Sequence, residues 1–324
     1  MPHAIRFHRT GGPEVLQWEA VELPPPAAGE VRLRQHAVGL NYIDTYHRGG
    51  LYPVPLPSGL GQEGAGVVEA LGEGVTSVKV GDRVAYATSP LGAYSEARNI
   101  DAAILVPLPD AISFEQGAAM MMQGLTAQYL LRRTYRVQPG DTILIHAAAG
   151  GVGTIVCQWA KALGATVIGT VSSDHKADVA RGHGCDHTII YTRENFAERV
   201  REITGGAGVP VVYDSIGKDT FMGSLACLRP LGLMVSFGNA SGAVPPVDIG
   251  LLARMGSLFL TRPTLFSYAA KREDLLTMAA DLFEVVASGK VKIEIGQCYP
   301  LRDAAQAHID LEARRTTGST VLLP

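Results

Sequence analysis

The sequence predicts an α/β protein of two domains, one of them built on a doubly wound parallel sheet. Three observations carry this. Between about Thr142 and Arg262, short apolar runs alternate with helix-like runs of about ten residues, the rhythm of βαβ units. Right-handed crossovers then place helices on both faces of the sheet. Upstream, short β-like segments are broken by turn residues and by Gly59, Gly61, Gly64, Gly66, Gly72, Gly74 and Gly81. Such density suits a tightly bent barrel whose strands turn corners at glycine. Finally, 324 residues exceed the roughly 250–300 at which a single core stops growing.

Composition narrows the class. Hydrophobic residues make up 47% and charged residues 18%, which points to a large core and against disorder. The net charge is 28 − 31 = −3, too small to attract nucleic acid or an anionic membrane. No run approaches about 18 apolar residues, so no membrane span is expected. The segment MPHAIRFHRTGGPE lacks an apolar centre and does not read as a signal peptide. Cys157, Cys185, Cys227 and Cys298 form no CxxC, and His183 and His187 beside Cys185 read as a solvated turn. A disulfide framework or structural zinc is not expected, and a reducing cytoplasm fits.

In order, strands are expected at Val31–Val38, Gly66–Ala70, Arg83–Ala87 and Ala103–Val106, with a short helix near Tyr42–Arg48. Ser113 and Gln116 have capping-box spacing and open a helix running through 115–135. The βα series follows: strand 142–148, helix 151–164 closed by Gly164, strand 165–171, helix 174–184 and strand 187–191. Helix 193–206, strand 209–217, helix 218–228, strand 232–238 and strand 257–262 complete it. Beyond it, helix Arg272–Ser288, strand Lys292–Cys298, helix Arg302–Arg315 and strand Ser319–Leu323 return towards the first domain.

The strongest local signal is the run from His146 to Gly153. It follows an apolar strand and opens a helix, the context a dinucleotide loop requires. Gly150, Gly151 and Gly153 allow a tight turn, and the first helical N–H groups then bind a pyrophosphate. The run departs from GxGxxG, with Ala148 at the first glycine. His146 itself reads as a packed strand-end residue. The second strand ends Gly169-Thr170-Val171-Ser172-Ser173, with no acid at its tip to grip a ribose 2′-OH. Hydroxyls and Lys176 suit a 2′-phosphate instead, so NADPH is expected over NADH. Asp174 stands against this unless it faces solvent as a helix N-cap. The loop Phe237-Gly238-Asn239-Ala240-Ser241-Gly242-Ala243 ends a later strand. It reads either as a lining of the nicotinamide half or as a polar surface turn.

Seven segments together carry a family likeness: Gly11–Leu16, Asn41–Tyr46, Gly49–Pro53, Gly81–Val84, Gly124–Ala127, His146–Gly153 and Gly232–Gly238. On them the chain resembles the zinc-free, zeta-crystallin-like quinone oxidoreductases of the medium-chain dehydrogenase/reductase superfamily, over nearly its whole length. The resemblance implies a Rossmann domain inserted into a GroES-like β-barrel domain. The split is 1–121 plus the return 262–324 for the barrel domain, and 122–261 for the nucleotide domain, with the active site between them. It further implies a homodimer paired through an edge strand, for which 257–262 would serve. Related alcohol dehydrogenases hold zinc with a cysteine and a Gly-His-Glu segment. Asn41 and Gln62 stand near those positions, His47 alone does not make a site, and no metal is expected.

The same resemblance supplies roles. Asn41, Tyr46 and Tyr52 would position substrate and donate to a developing oxyanion. Tyr42, Ile43, Asp44, Thr45 and Tyr46 would meet the nicotinamide side, as would Thr126 and Tyr129. Gly151 and Val152 would meet the pyrophosphate. Ser172, Ser173, Lys176, Tyr191 and Arg314 would surround the 2′-phosphate, and Ile216 with Phe237–Ala243 would line the rest. A small-molecule quinone accepts hydride from NADPH without a Lewis acid. The alternative is a zinc-free enone or enoyl C=C reductase of the same fold. The weak charge and lack of a basic run speak against a non-enzymatic nucleic-acid role.

Overall fold

In the computed structural model, which describes residues 1–88 and 90–324, the chain folds as two compact units. One comprises Met1–Leu125, Tyr268–Ala287 and Ile293–Pro324. The other comprises Thr126–Ser267 and Ser288–Lys292.

The second unit holds a six-stranded sheet, parallel throughout. Outward from Thr142–Ile145, one side carries Thr166–Val171 and then His187–Ile190. The other carries Val209–Asp214, Leu228–Ser236 and Phe259–Thr261. Strand order therefore reverses at Thr142–Ile145, the switch point where open α/β sheets hold ligands. The crossover segments are the helices Gly151–Ala162, Asp174–Gly182, Phe196–Ile203 and Phe221–Cys227. Continuous apolar strands such as Val209–Asp214 are buried along their whole length, as parallel strands covered on both faces must be. Leu144, Ile168, Val212 and Met234 from the sheet pack with Val200, Phe221 and Leu225 from the helices. Each such side chain stabilises the unit by about 1.5–3 kcal/mol.

In the first unit, strand Glu30–Leu40 is the hub. It pairs antiparallel with Glu63–Leu71, with Ala97–Asp101 and with Ser319–Leu323. The sheet continues through Arg83–Ala87 to Val106–Pro107 on one side and from Ser319–Leu323 to Ile295–Pro300 on the other. A three-stranded sheet joins Gln17–Ala20, His3–Phe7 and Ser58–Gly59. Phe7, Val31, Leu33, Leu60, Tyr86, Tyr94 and Leu301 share its core.

Three expectations are corrected. The segment expected as strand Ala103–Val106 begins as a 3₁₀ turn, Ala102–Ile104, because Asp101 accepts from the Ala103 N–H and caps it. The helix after Ser113 opens with its capping box, Ser113 and Gln116 exchanging hydrogen bonds at 3.1 and 3.2 Å. It gives way at Leu130–Thr134 to a π-helical turn, where the Leu130 carbonyl accepts from the Tyr135 N–H and from the Tyr213 hydroxyl. The expected helix Arg302–Arg315 is a 3₁₀ turn and then Ala304–Glu312, and Arg314 lies beyond it at φ +59°.

Candidate functional site

In the second unit the loop after Thr142–Ile145 opens a helix that no side chain caps. Helix Gly151–Ala162 starts at Gly150 with no side-chain cap, so its first N–H groups, including those of Gly151, Val152 and Gly153, have no capping partner from a side chain. Gly153 has no room for a side chain: a methyl there would lie 2.2 Å from the Ala147 carbonyl oxygen. Ala148 stands where the motif has glycine because Gly169 faces it; a methyl on Gly169 would come within 2.5 Å of the Ala148 Cβ. The Ala148 N–H donates to the Thr170 carbonyl, tying the loop to the second strand. His146 is buried, its ring nitrogens 2.8 Å from Thr170 Oγ1 and 2.9 Å from Ser224 Oγ. Burial pulls its pKa down, while the Asp214 carboxylate opposes this.

At the tip of the second strand, Ser173 caps helix Asp174–Gly182 by accepting from the Lys176 N–H. Asp174 is therefore the first helical residue and not the cap. Its carboxylate is held 2.6 Å from the Arg193 guanidinium, which lowers its pKa. Tyr191 donates its N–H to the Val171 carbonyl, and Thr192 donates its hydroxyl to the Ser172 carbonyl. Ser172, Ser173, Lys176 and Tyr191 thus converge on one strand tip, together with Arg193, which the sequence reading missed. Arg314 belongs to the other unit.

The loop Phe237–Ala243 is stitched to the neighbouring strand end. The Phe237 N–H donates to the Asp214 carbonyl, the Ala240 N–H to Ser215, and the Ser241 N–H to Ile216. The Ser241 hydroxyl also donates to Ile216 and accepts from the Asp219 N–H, while Gly242 closes a turn on Asn239. Gly238 and Ala243 lie within the same loop, which brings Ile216 and 237–243 together. Thr126 and Tyr129 share a helix and are both buried, the tyrosine 2% exposed.

In the first unit, helix Tyr42–Gly49 ends at Gly50, whose left-handed φ of +85° turns the chain back. The Tyr52 N–H then donates to the Tyr46 carbonyl. This brings Tyr42, Tyr46 and Tyr52 into a row of edge-to-face rings at 5.6 and 5.3 Å, with His47 5.7 Å from Tyr52. Burial lowers the His47 pKa and raises that of Tyr42. Ile43 is half-buried; Thr45 donates its hydroxyl to the Tyr42 carbonyl. Asp44 turns inward: fully buried, it accepts from the Asn41 N–H and from the Tyr94 hydroxyl, and burial pushes its pKa up to about 7. Its carboxylate is thereby committed to the interior.

Asn41 is also more enclosed than expected. It is 7% exposed, and its Nδ2 donates to Glu63 Oε2 at 2.6 Å, so only its second amide N–H is left for another acceptor. Its Oδ1 accepts from Gln123 Nε2 at 3.3 Å. Glu63, Gln123 and Ser319 form the floor of this corner, and the sequence reading missed all three. The available signal was Glu63 itself, a carboxylate heading a strand of small and apolar residues. As zinc ligands this corner does not fit. Asn41 and Gln62 present amides, and among the described residues no three His, Cys, Asp or Glu side chains are grouped to hold a metal ion.

The chain matches two family models: "Alcohol dehydrogenase GroES-like domain" over residues 27–110, and "Zinc-binding dehydrogenase" over 151–284. Fold and loop thus define a medium-chain dehydrogenase/reductase, a chain that carries a Rossmann sheet and a GroES-like β-domain. The chain is 60% identical to a quinone oxidoreductase of Pseudomonas aeruginosa, covering 100% of both. It is 49% identical to a 2-haloacrylate reductase of a Burkholderia species, covering 100% of this chain and 99% of that one. The crystal structure of Escherichia coli quinone oxidoreductase complexed with NADPH is similar at a TM-score of 0.98 and 53% identity, over 99% of this chain and 100% of that one. The chain belongs to the zinc-free quinone oxidoreductase family of this superfamily.

Proposed function

We propose that this protein is an NADPH-dependent quinone oxidoreductase that works without zinc. The observation that carries the reading is the full-length similarity, at 53% identity, to a quinone oxidoreductase complexed with NADPH. Bound NADPH supplies a hydride. The Gly150–Gly153 turn offers N–H groups to its pyrophosphate, and Ser172, Ser173, Lys176, Tyr191 and Arg314 surround its 2′-phosphate, with Arg193 as a further cation. Thr126, Tyr129, Ile216, Phe237–Ala243 and the helix start Tyr42–Tyr46 line the remainder, Asp44 through backbone alone. Asn41, Tyr46 and Tyr52 orient the acceptor and donate to the oxygen that gains charge.

The edge-to-face row of tyrosine rings supports a flat, electron-poor acceptor, since a further ring can join such a row against an edge or a face. Steady-state NADPH oxidation with 1,4-benzoquinone, a naphthoquinone and an enone tests this. Quinones should be consumed and the enone ignored; turnover of the enone alone would overturn it in favour of C=C reduction, the reading the 2-haloacrylate reductase relative keeps alive. Pairing of two copies through strand Phe259–Thr261 completes the proposal. Phe259 is 60% exposed on this outermost strand, whose open edge invites a partner strand. A cytoplasmic location suits the free thiols of Cys157, Cys185, Cys227 and Cys298.

A further inference from the structure

Glu63 heads strand Glu63–Leu71 and is fully buried. Its two oxygens have different partners. Oε1 accepts the Met122 backbone N–H at 2.7 Å, and Oε2 accepts Asn41 Nδ2 at 2.6 Å. The first partner is a backbone donor fixed in a helix and cannot reverse. The second is a side-chain amide, which can. Behind Asn41 the network continues through Gln123 Nε2 to Ser319, whose hydroxyl lies 2.6 Å from Gln123 Oε1 and 2.9 Å from the Ala119 carbonyl. Gln123 can also present either end of its amide, because Ser319 keeps an alternative acceptor.

We propose that Glu63 is a positioning residue for the reaction, setting which end of the Asn41 amide meets the acceptor according to whether the carboxylate carries a proton. This rests on the reading above that Asn41 faces the substrate. As a carboxylate, Glu63 takes one Nδ2 proton and leaves the other for the oxygen that gains charge. As an acid, it must donate from Oε2, because Oε1 is held by Met122. Asn41 then turns its Oδ1 to Glu63 and its Nδ2 to Gln123; the Asp44 N–H, which caps on the Asn41 side chain, keeps the Asn41 backbone carbonyl as its acceptor at 2.9 Å, and the substrate loses the amide donor. The proton exchanged is taken from and returned to solvent.

The groups facing Glu63 place this exchange in the working range. Asp44 from helix Tyr42–Gly49, Tyr86 from strand Arg83–Ala87 and Tyr94 act on it or feel its charge. Behind them, Arg98 lies 5.5 Å from the Tyr86 ring, and Arg48 and His308 sit beyond Tyr94 and Asp44. Burial, with Asp44 adding to it, pushes the Glu63 carboxyl up to about 8 despite hydrogen bonds from Asn41, Met122 and Met121.

The test is kcat against pH, from about pH 6 to about pH 9.5, with NADPH and 1,4-benzoquinone. The native protein should gain activity with pH through one inflection. Glu63→Gln must turn its carbonyl to the Met122 N–H and its NH2 to Asn41, so it mimics the protonated acid. Its kcat should stay low and flat, about 100-fold below the native protein at the alkaline end, with the NADPH dissociation constant unchanged. An inflection that survives in Glu63→Gln, or a native profile with none, overturns the proposal. Asn41→Ala separates the two readings. If it leaves kcat unchanged, the assignment of Asn41 to the substrate fails. If it lowers kcat while Glu63→Gln behaves as native, only the role of Glu63 fails. Should Glu63→Gln not fold, the side-chain amide proton signals lost in Asn41→Ala provide the readout in the native protein. They should shift across the same pH range, and pH-independent signals overturn the proposal.

Discussion

Lys176 and Arg193 stand at the strand tip where an acid would select NADH. Asp174, the first residue of its helix, spends its exposed carboxylate on Arg193. Lys176→Ala should raise the NADPH dissociation constant about tenfold to 100-fold and leave NADH nearly unchanged, as expected for a charge-assisted bond of about 1.5–3 kcal/mol. Nucleotide fluorescence titration measures both, and equal losses for the two cofactors would contradict a 2′-phosphate contact. If Tyr46 donates to the acceptor as proposed, Tyr46→Phe removes that hydroxyl and keeps the ring contacts to Tyr42 and Tyr52. Quinone turnover should fall while NADPH affinity holds, and steady-state kinetics with an independent binding titration separates the two.

At the scale of elements, the glycine loop works only because two segments are stripped to the backbone where they meet. Gly169→Ala would press a methyl against Ala148 Cβ and Cys185 Sγ, the latter at 2.7 Å. Overpacking of this kind costs about 1–3 kcal/mol. The denaturant midpoint should fall with little change in slope, and adding Ala148→Gly should recover part of the loss. This pairing explains what the sequence left illegible. Ala148 broke the motif on paper, and only the strand register reveals the glycine opposite. The alternating strands and helices were legible because period and caps are local signals. Ala102–Ile104 was not, since one aspartate turned a strand-like run into a 3₁₀ turn. The π-helical turn at Leu130–Thr134 depends on a hydroxyl from Tyr213, more than eighty positions away. Asn41, Tyr46 and Tyr52 were singled out through family likeness, whereas Glu63, Gln123 and Ser319 join Asn41 only through tertiary contacts.

For the molecule as a whole, buried ionisable groups make stability depend on pH. Glu63 and Asp44 have folded pKa values of about 8 and about 7, above their ordinary values. Between the ordinary and the folded value the folded state holds more protons, so stability falls as pH rises and levels off above the folded pKa. His308 is lowered to about 3 by burial, with Arg48 adding to it, and acts in the opposite sense: its contribution is lost as pH drops below about 6.5. From about pH 6.5 to about pH 8.5, Glu63 alone should cost about 2 kcal/mol. Calorimetric Tm values across this range should decline, and Glu63→Gln should flatten the decline.

The pairing of Thr320 with Leu40 has a consequence for biosynthesis. As the polypeptide leaves the ribosome, residues 38–40 emerge early, and their partner strand is translated only after the entire nucleotide unit. Until then one margin of the hub strand stays open, and loop-closure entropy slows its completion. A nascent chain stalled before Ser319 should carry a finished Rossmann sheet and a gaping β-sheet, the species a chaperone is most apt to hold.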